Sequence, residues 1–250
     1  MTLVQIADKL GITVRTLRTH FDALGFEYAP KPVPLHPVTM IIDATFFGRC
    51  YGYLCFCDGK QIVHFLEIKT ESVADLTRGI SDLVAVGYQF RSFTIDGKRG
   101  FIATLQRLFP NIPVQMCLFH QKCIIRRYIT SNPKSACGIA IKNLTAALGE
   151  QNPTVWKAAL QDLLVQHKDF LSQKNEAGRY THTKLRSALR SLQSNLPFLF
   201  AYHDHPLDAI PKTSNAIEGR FAHLKEKITL HRGLKIHRKK NAICFLLNTL

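Results

Sequence analysis

Apolar positions near the start of the chain recur with helical spacing. Leu3, Ile6, Ala7 and Leu10 mark one short helix. Gly11 can take the left-handed turn conformation, and Thr13 stands where it can cap a second helix. That helix is expected over roughly 14–24, with Leu17, Phe21 and Leu24 inward and Arg15, Arg18, Thr19 and His20 outward. Small Ala7, turn Gly11 and apolar Ile12 and Leu17 suit a helix-turn-helix, whose second helix reads DNA; an ordinary helical hairpin is the plain alternative. The unit is expected to be incomplete, because no room is left ahead of it for a third helix. Four prolines within residues 29–37 then predict a semi-rigid linker.

From Val38 the pattern changes to strands: 38–43, 51–57 and 61–68, with Asp58-Gly59 signalling a hairpin between the last two. Ser72 with Asp75 predicts a helix start, and its apolar positions run on to 86. A fourth strand is expected at 93–95, a helix at 101–109, a fifth strand at 114–117 and a helix at 120–129. Beyond about 130 the strand signal vanishes, and to about 205 the chain reads as helices, with turns at Asn152-Pro153 and Ala177-Gly178. The expected fold class is α/β: a mixed sheet flanked by helices. The expected organisation is 1–29, a linker at 30–37, and one domain over 38–250.

Composition narrows the function. The chain has 250 residues, 46% of them hydrophobic, enough for a sizeable core, and its formal net charge of +15 points to a polyanionic partner. The excess accumulates towards the C-terminus: residues 212–250 carry nine Lys/Arg against two acids. Seven cysteines and no secretory or membrane-spanning pattern suit a reducing cytoplasm without disulfides. Cys55-x-Cys57 falls in a strand and reads as packing. Cys117, His120 and Cys123 sit on one helix and cannot all reach a single ion, so no structural zinc is expected. No glycine loop for phosphate and no nucleophile elbow occurs, which argues against a metabolic enzyme.

Three carboxylates hold the candidate chemistry. Asp43 ends the first strand, Asp96 follows the fourth, and Glu218 lies in Thr213-Ser214-Asn215-Ala216-Ile217-Glu218. Brought together, three carboxylates can hold two divalent cations at a phosphodiester. Each has a plainer reading: a strand-end residue, an Asp-Gly turn, and a capping box of Asn215 with Glu218. Downstream, Lys225, Lys227, Arg232, Lys235, Arg238, Lys239 and Lys240 form a basic finish suited to DNA phosphates or merely to solubility.

The set of strand-Asp43, strand-Asp96-Gly97, Cys117-Leu118-Phe119-His120 and Ser214-Asn215-x-x-Glu218 resembles the Mutator-type DDE transposases of bacterial insertion sequences. The likeness spans roughly 38–240. It implies a ribonuclease-H-like fold with an all-helical insertion at about 130–205, in the 122-residue gap between Asp96 and Glu218. It also implies two Mg²⁺ or Mn²⁺ ions on Asp43, Asp96 and Glu218, cleavage of element ends, and transfer of the 3′-OH strand into target DNA. His120 is expected beside the scissile phosphate, Cys117 to pack or to orient His120, and Asn215 to position Glu218. Double-stranded DNA as partner, self-association on it and a nucleoid-associated location are further implications. The alternatives are an inactive derivative acting as a DNA-binding repressor, or another ribonuclease-H-like nuclease.

Overall fold

A computed structural model describes residues 2–23, 31–49, 51–230 and 233–249. Two helices open the chain, α1 (Leu3–Leu10) and α2 (Val14–Ala23). Strands β1 (Val38–Phe47), β2 (Tyr51–Cys57) and β3 (Ile62–Ile68) come next, then α3 (Val73–Ala85), β4 (Phe90–Ile95), α4 (Arg99–Leu108), β5 (Val114–Met116) and α5 (Leu118–Tyr128). The rest of the described chain is helical: α6 (Ala136–Ala147), α7 (Pro153–Gln166), α8 (Lys168–Ser172), α9 (Thr183–Leu199), α10 (Ala201–Asp204), α11 (Asn215–Leu230) and α12 (Ile236–Thr249), with a 3-10 turn at Pro206–Asp208. The strands form one mixed sheet in the order β3-β2-β1-β4-β5. β2 and β3 are antiparallel, while β1, β4 and β5 run parallel to their neighbours in that group. None of the described helices is long and apolar enough to cross a membrane.

The chain divides into two compact units: 1–35, 43–88 and 215–250 make the first, and 36–42 with 89–214 the second. The opening helices therefore share a unit with the β2–β3 hairpin and the C-terminal helices. Thr2 caps α1 in a full capping box with Gln5, and Gly11 ends it at φ +63. Thr13 Oγ accepts the Thr16 N–H at 3.0 Å, the cap that its position predicts. Ala7 and Leu17 are buried between α1 and α2 and Ile12 is half-buried, but Leu10 stands out in solvent at 61% exposure. The inward side chain expected of Phe21, and Leu24, lie outside the described residues.

β2 is buried along all seven residues. Covered on both faces, it shows no alternation of buried and exposed positions, and that is why an apolar run alone marks it. Asp58 organises the hairpin beyond its expected Asp-Gly turn, accepting the N–H groups of Lys60 and Gln61 at 2.8 Å each. Ser72 caps α3 through the Asp75 N–H at 3.1 Å. α12 packs on α11 and β3, burying Ile243 and Leu247.

In the second unit, the first half of β1 pairs with β4, and β4 with β5. Phe90, Phe93 and Phe109 cluster with centroids 5.0 to 5.4 Å apart. A continuous apolar core runs from Met116 and Leu118 through α6, α7 and α9 to Phe200, with Trp156 fully buried in it. Buried polar groups here are matched. Trp156 Nε1 donates to Leu144 O at 2.8 Å, and the Gln115 amide donates to Met116 O and Leu199 O while accepting the Tyr202 N–H. Gln121 accepts from Asn195 at 2.7 Å and donates to Ser191, tying α5 to α9. Each such group left unmatched would cost about 1–3 kcal/mol.

Gly79 shows packing overriding propensity. In mid-helix, Gly→Ala ordinarily gains about 1 kcal/mol. A Cβ at Gly79 would lie 2.2 Å from Phe56 Cζ and 2.4 Å from its Cε2, inside the core. Overpacking costs about 1–3 kcal/mol, so Gly79→Ala is expected to lower the denaturation midpoint in urea rather than raise it.

Candidate active site

Parallel pairing of β1 with β4 sets the two aspartates. Met40, Ile41 and Ile42 are register partners of Phe93, Thr94 and Ile95. Asp43 and Asp96 are each one peptide bond beyond the last of these pairs. Asp43 is still within β1, 9% exposed, and its Oδ1 accepts the Ala44 N–H at 2.8 Å. Its strand thus runs four residues beyond the strand end expected from sequence. Cys55, in the same unit, has its thiol pushed well up by burial and then by the Asp43 charge.

Asp96 is half-buried in a turn, with Oδ1 accepting the Lys98 N–H at 3.1 Å. Its Asp-Gly sequence is thus both a turn and a carboxylate mount. Gly97 has φ +90, and a Cβ there would meet Met116 Cε at 2.2 Å. Both the backbone conformation and the space demand glycine.

Cys117 comes directly after β5, its N–H donating to Ile95 O at 2.7 Å, the carbonyl just ahead of Asp96. The sulfur is fully buried and accepts both the backbone N–H and the hydroxyl of Ser214, each at 3.3 Å. Ser214 Oγ also lies 3.5 Å from His120 Nδ1. Burial by itself pushes the Cys117 thiol up, but hydrogen bonds from His120 and Ser214 outweigh it and hold the thiol below its ordinary range. The sulfur therefore serves as an acceptor that orients His120 and Ser214. With the serine hydroxyl donating to sulfur, His120 must carry its proton on Nδ1 to bond within this cluster. Ser214 is the functional-site residue that sequence reasoning passed over. Its only signal was a small polar residue just before Asn215-x-x-Glu218.

Glu218 belongs with Asp43 to the first unit, whereas Asp96, Cys117 and His120 belong to the second. It is half-buried in the first turn of α11, whose inner face is Ile217, Phe221, Leu224 and Ile228. α11 begins at Asn215 itself. Ser214 comes directly before it, and Asn215 is exposed.

Neither the protein-family models nor the curated proteins include a match to this chain.

The residues expected to contact DNA fall into two groups. Arg15, Arg18, Thr19 and His20 are exposed on α2, and Lys225 and Lys227 on α11; Lys235 is exposed ahead of α12. Others are engaged within the first unit. Arg238 and His237 both bond Asp22, whose carboxyl the Arg238 hydrogen bond holds far below the usual range. Lys240 pairs with Glu67 and lies over the Tyr51 ring, and half-buried Lys239 lines a cavity of about 440 Å³ with Tyr51, Ile228 and Ile236. Arg232 lies outside the described residues.

Cys117 makes a measurable prediction. Folding depresses its pKa below the ordinary thiol value. Its contribution to stability is therefore complete above the unfolded thiol's pKa of about 8.5, and it is lost as pH falls through the folded-state value. The ultraviolet thiolate difference between wild type and Cys117→Ser should titrate below the ordinary thiol range, and Ser214→Ala should move it upward. A titration at the ordinary value in both proteins would remove the acceptor role.

Proposed function

We propose that the chain is a DDE-type DNA transposase built on a ribonuclease-H-like fold. The strand order β3-β2-β1-β4-β5, antiparallel on one side and parallel on the other, supports that fold. The observation that carries the function is the Ile42–Ile95 register pair, after which each parallel strand delivers a carboxylate. Asp43, Asp96 and Glu218 would hold two Mg²⁺ or Mn²⁺ ions. The donor chemistry fits, since carboxylate oxygens are hard ligands suited to hard divalent cations, and Asp43 and Asp96 are steadied by backbone N–H groups. When bound, such ions supply Lewis acidity at the attacking and leaving oxygens of an in-line displacement.

The chain's own residues do the rest. His120, its Nδ1 engaged by the cluster around Cys117 and Ser214, would donate from Nε2 to a non-bridging phosphate oxygen when both ring nitrogens carry protons. Arg15, Arg18, Thr19 and His20 on α2 contact element ends, and the exposed lysines of α11 neutralise neighbouring phosphates. The product is a 3′-OH end that joins target DNA, with the protein self-associated on DNA and nucleoid-bound in the cell.

The test is strand transfer by purified protein with Mn²⁺ and labelled DNA bearing the element ends. Asp43→Asn and Asp96→Asn should each lower joining by more than about a hundredfold, because loss of a direct ligand exceeds the 10–100-fold effect of losing an outer-shell partner. DNA affinity should stay within about twofold, since phosphate neutralisation supplies most of it. Joining at the wild-type rate by either variant sinks the assignment.

A further inference from the structure

The helical block of the second unit separates its charges. Residues 118–147 and 179–203 contain nine Lys/Arg and no Asp/Glu, whereas 148–178 contain three Lys and four acids. The acid-free stretches are α5, α6 and α9 with their flanks, and these three helices pack on one another. Any exposed flank they present is therefore of one sign.

Four of the cations gather at one end. A Cβ on Gly138, in the first turn of α6, would lie 2.9 Å from Pro133 and 3.8 Å from Leu185 in the first turn of α9. Lys134 and Lys184 are the immediate chain neighbours of those two residues, and Arg126 and Arg127 occupy the last turn of α5. All four are exposed, and among the described residues none of them makes an ion pair. Arg126 and Arg127 suit the negative end of α5. Lys184 does not suit the positive end of α9, and neither α6 nor α9 has an acid in its first turn. A face selected for stability would carry carboxylates there. Unrelieved like charge is explained by a polyanion that neutralises it.

We propose that this end of α5, α6 and α9 docks the phosphate backbone of duplex DNA, as a surface additional to the cations of α2 and α11. The inference takes from the transposase reading only the identity of the polyanion. It assigns a task to the helical block, which that reading leaves without one. Contact comes from helix ends and a connecting segment, so it positions the duplex without reading sequence.

The experiment measures binding of the full chain to duplex DNA across a salt series in chelator, where no strand chemistry contributes. Arg126→Ala, Arg127→Ala, Lys134→Ala and Lys184→Ala are combined in one variant. At about 0.9 unit per lost phosphate contact, the slope of log affinity against log salt should flatten by up to about 3.6 units, with affinity at least about tenfold lower. A control with Lys157→Ala, Lys168→Ala and Lys174→Ala removes charge from α7, α8 and the segment after α8, and should keep the wild-type slope. A second variant, Lys134→Glu with Lys184→Glu, should weaken binding while keeping the wild-type circular dichroism. Variants that bind like the control overturn the proposal, as does a wild-type chain without affinity for duplex DNA. The salt slope decides this surface, and strand transfer by the aspartate variants decides the functional reading separately.

Discussion

The backbone ladder between β1 and β4 is the constraint on which the candidate site depends. The register runs to the Ile42–Ile95 pair, and each strand's next residue is an aspartate. The ladder is local and stiff. Met40, Ile41, Ile42, Phe93 and Ile95 are all essentially inaccessible to solvent, on both faces of the sheet. The runs ahead of both aspartates are thus fixed by packing on the two faces of the sheet. Gly97 adds a second lock, since the turn that presents Asp96 closes against Met116 with no space for a side chain.

Matched polar groups fasten what apolar packing alone would leave degenerate. Gln115 reaches Leu199 O and the Tyr202 N–H, which joins β5 to the end of α9 and the start of α10. Gln121 with Asn195 sets the registry of α5 on α9. The Cys117–Ser214–His120 cluster does the same at the end of β5, where the sulfur gathers donors from two stretches nearly a hundred residues apart. Buried amides and hydroxyls tolerate few alternative partners, so these contacts specify one arrangement of helices.

Charge is divided between tasks. Some tail cations hold the first unit to itself: Arg238 on Asp22 links α12 to α2, and Lys240 on Glu67 links α12 to β3. Exposed ion pairs of this kind contribute little energy, but they decide which cations face solvent. Among the cations left exposed are those of α2 and α11 and those at the ends of α5 and α9.

Period and punctuation made the element plan legible: Gly11 and Thr13 at the first turn, Asp58 at the hairpin, Ser72 at the start of α3, Asn152-Pro153 at the start of α7. These signals are local, carried by residues that satisfy their own neighbours' backbone groups, and they survive without knowledge of the fold. Asp43 and Asp96 were legible for the same reason, each coming after an apolar strand run. The β1–β4 register, the continuation of β1 to Phe47 and the complete burial of β2 were not, because all three depend on which strand lies alongside. Ser214 stayed hidden because a small hydroxyl has no periodic signature, and its partners are Cys117 and His120, brought to it only by folding. The net charge was evident in the chain, but which cations pair with acids and which stay exposed is set by packing. The sequence by itself determined the helices, strands, turns and chemical inventory; tertiary structure decided their register, the acceptor role of Cys117 and the distribution of charge. The physical reason is that hydrogen bonding and burial between distant segments act only once those segments meet.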